Sequence, residues 1–110
     1  MATTQSTVDY LLDQISSLRD TRARKMFGEY ALYYHEKLVA LICDDQLFMK
    51  PTTETTAFAQ ECTEAPAYPG SKNYLLVPEE KWEDREWLTT FIQETAAALP
   101  LPKPKKQKVT

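Results

Sequence analysis

The chain is poor in the residues on which small proteins usually build chemistry or unusual backbone. Its 110 residues hold two glycines, two cysteines and a single histidine. With two cysteines there is no disulfide framework, and without paired CxxC or HxxxH spacing there is no recognisable zinc site. The longest unbroken apolar run is Leu38–Cys43, against the roughly 20 residues that a membrane-spanning helix needs. The first ten residues, MATTQSTVDY, have neither a basic nor an apolar signal region, so no export signal is expected. Reduced thiols and a cytoplasmic location follow as expectations.

What is present is enough for one globular domain. Apolar residues make up 43 % and charged residues 26 %, the balance of a soluble chain. The net charge is −3, but Lys103, Lys105, Lys106 and Lys108 crowd the last residues, which leaves nine basic against sixteen acidic residues in the body, a net −7. Generic nucleic-acid affinity comes mainly from Lys and Arg neutralising phosphates. Any such contact must therefore come from a local patch.

The stretch KMFGEYALYYHEKLVALICDDQLFMKP organises the rest. Its runs Phe27–Tyr34, Leu38–Cys43 and Leu47–Met49 have strand length, and the clusters HEK and DDQ between them are too short for a helical crossover. Antiparallel pairing as a meander is the expectation, with Gly28 marking a bulge or a close approach. Strict alternation would put Tyr30, Leu32 and Tyr34 on one face and Leu38, Ala40 and Ile42 on one side of the next strand. Both faces are apolar. One can be covered by helices, and the other needs cover or a partner.

Around that sheet the spacing predicts an N-terminal helix over Val8–Leu18, with Ser6 and Asp9 in capping-box spacing and Asp13 and Gln14 off the apolar stripe. Arg19, Arg22 and Arg24 are read as charges at and beyond its end. A short helix is expected from Glu54 to about Cys62, a loop over Thr63–Ser71, a further strand over Lys72–Val77, and a long helix whose stripe is Trp87, Leu88, Phe91, Ile92, Ala96 and Leu99. Trp82 is a candidate staple for that helix. Residues 1–99 thus make one α+β domain, an antiparallel β-meander packed with N-terminal, short middle and long C-terminal helices. Residues 100–110 form a basic tail expected to be disordered.

Catalytic groups do not converge. His35 falls in a turn beside Glu36 and Lys37, with no serine in that turn. Cys43 ends an apolar strand and Cys62 ends a helix at its negative pole, settings for structural thiols. Cys43, Asp44, Asp45, Cys62 and His35 lack the spacing of a metal set. No enzyme activity, cofactor, metal or small-molecule substrate is therefore expected. The tyrosines at 30, 33 and 34, with Leu32, are the candidate interaction surface. Aromatics on a sheet can stack bases, but Glu29, Glu36, Asp44 and Asp45 surround these, which favours a protein partner or a second copy. Arg22, Arg24 and Lys25, together with Lys103, Lys105, Lys106 and Lys108, are the candidate phosphate contacts for weak DNA binding.

The run Met26-Phe27-Gly28-Glu29-Tyr30-Ala31-Leu32-Tyr33, followed by Leu38–Ile42, Leu47-Phe48-Met49-Lys50, Tyr68-Pro69-Gly70 and Tyr74-Leu75-Leu76-Val77-Pro78, resembles the N-terminal domain of the TfoX/Sxy family. The resemblance spans about Thr7 to Leu99. Glu29 and Ala31 stand where that family often has glycine, and His35-Glu36-Lys37 replaces a glycine-containing turn. The family's full-length regulators also carry a C-terminal helical domain, which this chain is expected to lack. The resemblance implies an α+β domain without catalytic residues. It also implies a bacterial role in regulating natural competence, as a transcriptional co-activator acting with the cyclic-AMP receptor protein.

Overall fold

The computed structural model describes residues 3–26 and 29–99. In chain order these form α1 (Gln5–Gln14), β1 (Thr21–Met26), β2 (Glu29–Tyr34), β3 (Lys37–Cys43), β4 (Gln46–Met49), α2 (Thr56–Ala59), β5 (Thr63–Pro66), β6 (Asn73–Val77) and α3 (Arg85–Ala98). The strands make one antiparallel sheet in the order β1-β2-β3-β4-β6-β5. The α+β meander expected from the sequence is therefore the fold, with two strands more than the sequence announced. The expected bulge at Gly28 and the basic tail lie outside the described residues.

Both extra strands lie at sheet edges, where the apolar signal is weakest. β1 is TRARKM, read from sequence as charges trailing a helix. As an edge strand it packs Ala23 against the main core and leaves Arg22, Arg24 and Lys25 exposed. β5 emerges from the segment read as a loop, and pairs Thr63–Pro66 with Asn73–Leu76. The first helix also sits earlier than expected. Thr4 rather than Ser6 precedes it, its carbonyl accepting from the N–H of Thr7 and Val8 at 3.2 and 3.5 Å. The chain leaves the helix at Ile15 and turns at Asp20, whose φ is +62°. Gln14 is buried rather than off the stripe, because its Nε2 donates to the carbonyl of Trp82 at 2.7 Å.

The two hairpin turns fall where the polar clusters placed them. His35–Glu36 and Asp44–Asp45 all have positive φ, from +52° to +67°, which makes both two-residue loops type I′, the turn whose twist suits flanking strands. Between them β3 carries a bulge. Leu32 faces Ala40 while Tyr33 faces Leu38, so Val39 has no partner on β2. One extra residue reverses the alternation. Val39 joins Ala40 and Ile42 on one side, and Leu38 moves across to join Leu41. The strict alternation expected for this strand is thus broken at its start. The same reversal sends Lys37 toward α3, where Nζ donates to the carbonyls of Ala96 and Leu99 at 2.7 and 3.0 Å.

The main core lies between α1, α3 and the sheet face bearing Leu32, Val39, Ile42, Leu47 and Met49, each at most 1 % exposed. α3 buries Leu88, Phe91, Ile92 and Ala96 of its expected stripe together with Thr95, while Trp87 and Leu99 pack partly buried against the same core. Asp84 caps it by accepting from Trp87 N at 3.1 Å. Phe58, in α2, stacks on Phe91 at 4.8 Å between ring centroids. Trp82 is buried at the entry to α3.

Candidate interaction surface

The sheet has a second apolar face. Ala31, Leu41, Cys43, Phe48 and Ala67 form a separate buried cluster, flanked by the partly buried Tyr33, Leu38, Ala65, Tyr74 and Leu76. No residue of this cluster comes from a helix. What shelters it is the connection between β5 and β6, where Ser71 Oγ accepts from Ala67 N at 2.9 Å. Tyr68 in that connection remains 53 % exposed. Beneath it lies a hollow of about 480 Å³ lined by Leu38, Leu41, Cys43, Tyr74 and the carboxylate-bearing Glu29. The hydroxyl of Tyr74 is pushed above its ordinary pKa, chiefly by burial and then by Tyr68 and Cys43.

The four residues singled out from sequence divide between the two sides. Leu32 is 1 % and Tyr30 9 % exposed beneath the helices, with the Tyr30 hydroxyl donating to Gln5 Oε1 at 2.9 Å. Tyr34 packs against the same core. These three are not on a free surface, because alternation aligned them with the face that the helices cover. Tyr33 alone reaches the other side, with the Arg22 guanidinium 5.2 Å from its ring centroid. Leu38 belongs there only because of the bulge at Val39, which nothing in the local sequence announces. Leu76 and Tyr74 were legible as strand residues, and the signal for their role was that β6 has large apolar groups on both faces.

The candidate phosphate contacts that can be placed are Arg22, Arg24 and Lys25. All three are exposed along β1, and Arg22 Nη2 lies 3.3 Å from Glu36 Oε1. Lys103, Lys105, Lys106 and Lys108 lie outside the described residues. His35 sits on its turn, half exposed, with Nδ1 3.4 Å from Asp20 Oδ2 and its ring edge-on to Tyr34 at 4.2 Å. Burial pushes the Cys43 thiol up to about 11, helped by the negative charges of Glu29 and Asp44. Cys62 is pushed up to about 11 mainly by burial and by Glu61, with Lys81 opposing. Neither thiol is a thiolate at neutral pH, the form a nucleophile requires. Among the described residues no three or more His, Cys, Asp or Glu side chains group as metal ligands. Among the same residues no helix is long and apolar enough to cross a membrane.

Two comparisons bear on what such a domain is. The family model of the TfoX N-terminal domain matches residues 13–99. The chain is also 39 % identical over 108 residues to a Spirochaeta aurantia protein described as an uncharacterised 12.7 kDa protein in the trpE 5′ region. That alignment covers 98 % of this chain and 93 % of the relative.

Proposed function

The chain belongs to the TfoX N-terminal domain family, and from that membership we propose a regulatory domain that acts by binding a partner protein and not by turning over a substrate. The contact surface is the sheet face opposite the helices. The observation that carries this reading is the partly buried apolar rim Tyr33, Leu38, Tyr74 and Leu76, with the exposed Tyr68, around a second buried cluster on a face that contains no helical residue. A sheet of this kind ordinarily buries one face and wets the other, and an apolar second face is the usual mark of a contact site. Two thiols held protonated and a histidine on an exposed turn favour recognition over catalysis. The family resemblance supports transcriptional regulation, with natural competence as the process served.

A paired variant, Leu38→Gln with Leu76→Glu, tests it. Both positions are partly buried on this face and outside the main core. In the native host, deletion of the gene is expected to change the transcript profile, and the wild-type chain to restore it. The paired variant should fail to restore it, although it is produced and melts as a folded domain. Full restoration by a folded variant sinks the assignment of this face. An unchanged transcript profile on deletion sinks the regulatory role.

A further inference from the structure

Among the described residues the sheet ends at β1, whose only strand neighbour there is β2. The carbonyl of Asp20 accepts the N–H of His35 at 3.0 Å, and this pair continues the register that sets Thr21 against Tyr34. Bonded and non-bonded pairs alternate along an antiparallel ladder. Arg22 and Arg24 therefore turn their backbone groups toward β2, whereas Thr21, Ala23 and Lys25 turn theirs away from the sheet. Three N–H donors and three C=O acceptors line that outer edge, and no other described backbone group bonds them.

The edge is also charged with one sign. Arg22, Arg24 and Lys25 are exposed on a strand without an acidic residue, in a body of net charge −7. Among the described residues, only Arg22 of the three has a carboxylate at ion-pair distance, and that pair is open to water. The opposite edge is different. β5 has four residues, carries Glu64 and ends in Pro66, which has no N–H to donate. Short length and proline blunt that edge. β1 is guarded by cations alone, and cations repel only some partners. A second copy laid along β1 would set Arg and Lys against Arg and Lys, an unfavourable cross-strand arrangement. A strand with acidic residues at alternate positions meets the reverse. Its carboxylates fall beside Arg22 and Arg24 on the helix-free side, and its intervening residues fall beside Ala23 on the helix side.

We propose that β1 is the acceptor for an extended acidic segment of a partner protein, which adds to the sheet as a further strand along Thr21–Lys25, with its carboxylates beside Arg22 and Arg24. Main-chain bonds supply the docking and the cations select the sequence, the division of labour typical of strand addition. This surface is distinct from the apolar face, so either can fail without the other. Duplex DNA competes for the same cations. It makes no use of the outward N–H row, and it would meet Glu36 and Asp20 at the end of the strand.

The test uses the full chain and a fluorescein-labelled, end-capped seven-residue peptide alternating Glu and Val, followed by anisotropy at low salt. The peptide is expected to bind, and to bind roughly tenfold more weakly to the exposed-site variant Arg22→Gln with Arg24→Gln. Two control peptides leave the protein untouched. A Gln–Val version should bind at least tenfold more weakly, and a Glu–Val version N-methylated throughout should not bind. Amide exchange at Thr21, Ala23 and Lys25 should slow when the Glu–Val peptide is added. No binding of the acidic peptide overturns the proposal. So does equal binding of the N-methylated or neutral peptide, unchanged exchange at those three amides, or tighter binding of a short DNA duplex than of the acidic peptide.

Discussion

Lys37 Nζ reaches across the fold to the carbonyl of Ala96, 2.7 Å away, and caps the last turn of α3 with a second bond to Leu99 at 3.0 Å. A cation at a helix C-terminus meets both unsatisfied carbonyls and the negative end of the helix dipole. The bond joins β3 to the end of α3, so it ties the sheet to a helix that covers it.

Replacing Lys37 with Met is expected to lower unfolding stability by about 1–2 kcal/mol, the worth of charge-assisted bonds at a half-buried helix end. Urea unfolding followed by tryptophan fluorescence reads this directly, since Trp82 and Trp87 belong to or adjoin α3. Lys37→Arg should recover part of the loss. A Met variant as stable as the wild type would mean that water caps the helix equally well.

The type I′ turns separate two glycine substitutions that look alike. Glu36 has φ of +67°, a region where an L-residue is strained by about 1 kcal/mol and glycine is not. Its one side-chain bond is the exposed pair with Arg22, which contributes little. Glu36→Gly should therefore raise stability by up to about 1 kcal/mol. Asp45 has φ of +59°, yet its Oδ1 accepts from Thr4 N at 2.8 Å, Thr4 Oγ1 at 3.0 Å and Thr7 Oγ1 at 2.8 Å. Asp45→Gly relieves the same strain but releases the start of α1, and should lower the melting temperature. Thermal melts of the two variants side by side test the contrast, which fails if both shift in the same direction.

Asp45 also gives a pH signature. Hydrogen bonds from Thr4 N and then Thr7 hold its carboxyl below the ordinary 3.8. Its folded pKa is thus depressed relative to the unfolded chain. The stabilisation is present in full above the unfolded value and is lost as pH falls through the folded one. Asp45→Asn should be less stable than the wild type at pH 6, and the gap should close as the pH drops below 3.8. A gap that stays constant to pH 2 would show that the carboxylate charge plays no part.

How much of this was readable beforehand depended on burial. Where a strand is fully covered, as for Leu47–Met49, its apolar run announced it. α3 and its stripe were equally plain, because Leu88, Phe91 and Ile92 recur at helical spacing against one core. β1 was hidden because an edge strand needs only one anchored residue, here Ala23, and its charges imitated a helix end. The bulge at Val39 was hidden for a different reason. It arises from how β2 and β3 pair, a property of two strands together, and it decided which side Leu38 and Lys37 face. The candidate surface was therefore half legible. That the sheet had two apolar faces could be read from the sequence. Which tyrosines stayed outside required knowing which face the helices chose.

The thiols supply a probe of the helix-free face. Cys43 lies on it and Cys62 on the helix-covered side, and both are pushed from 9.0 to about 11. The raised pKa lowers the thiolate fraction at pH 8, so a thiol reagent such as an aromatic disulfide should react several-fold more slowly with the native chain than with the unfolded one. The two sites should then part. Cys43 is 4 % exposed under the β5–β6 connection, so it reacts only when that connection lifts, whereas Cys62 lies partly buried just beyond α2. A Tyr68→Gly substitution, which removes the side chain over the hollow, should speed Cys43 and leave Cys62 unchanged. Mass mapping of the modified cysteines after timed labelling distinguishes them. Equal acceleration at both would mean global loosening, and no acceleration at Cys43 would show that Tyr68 does not shelter the face.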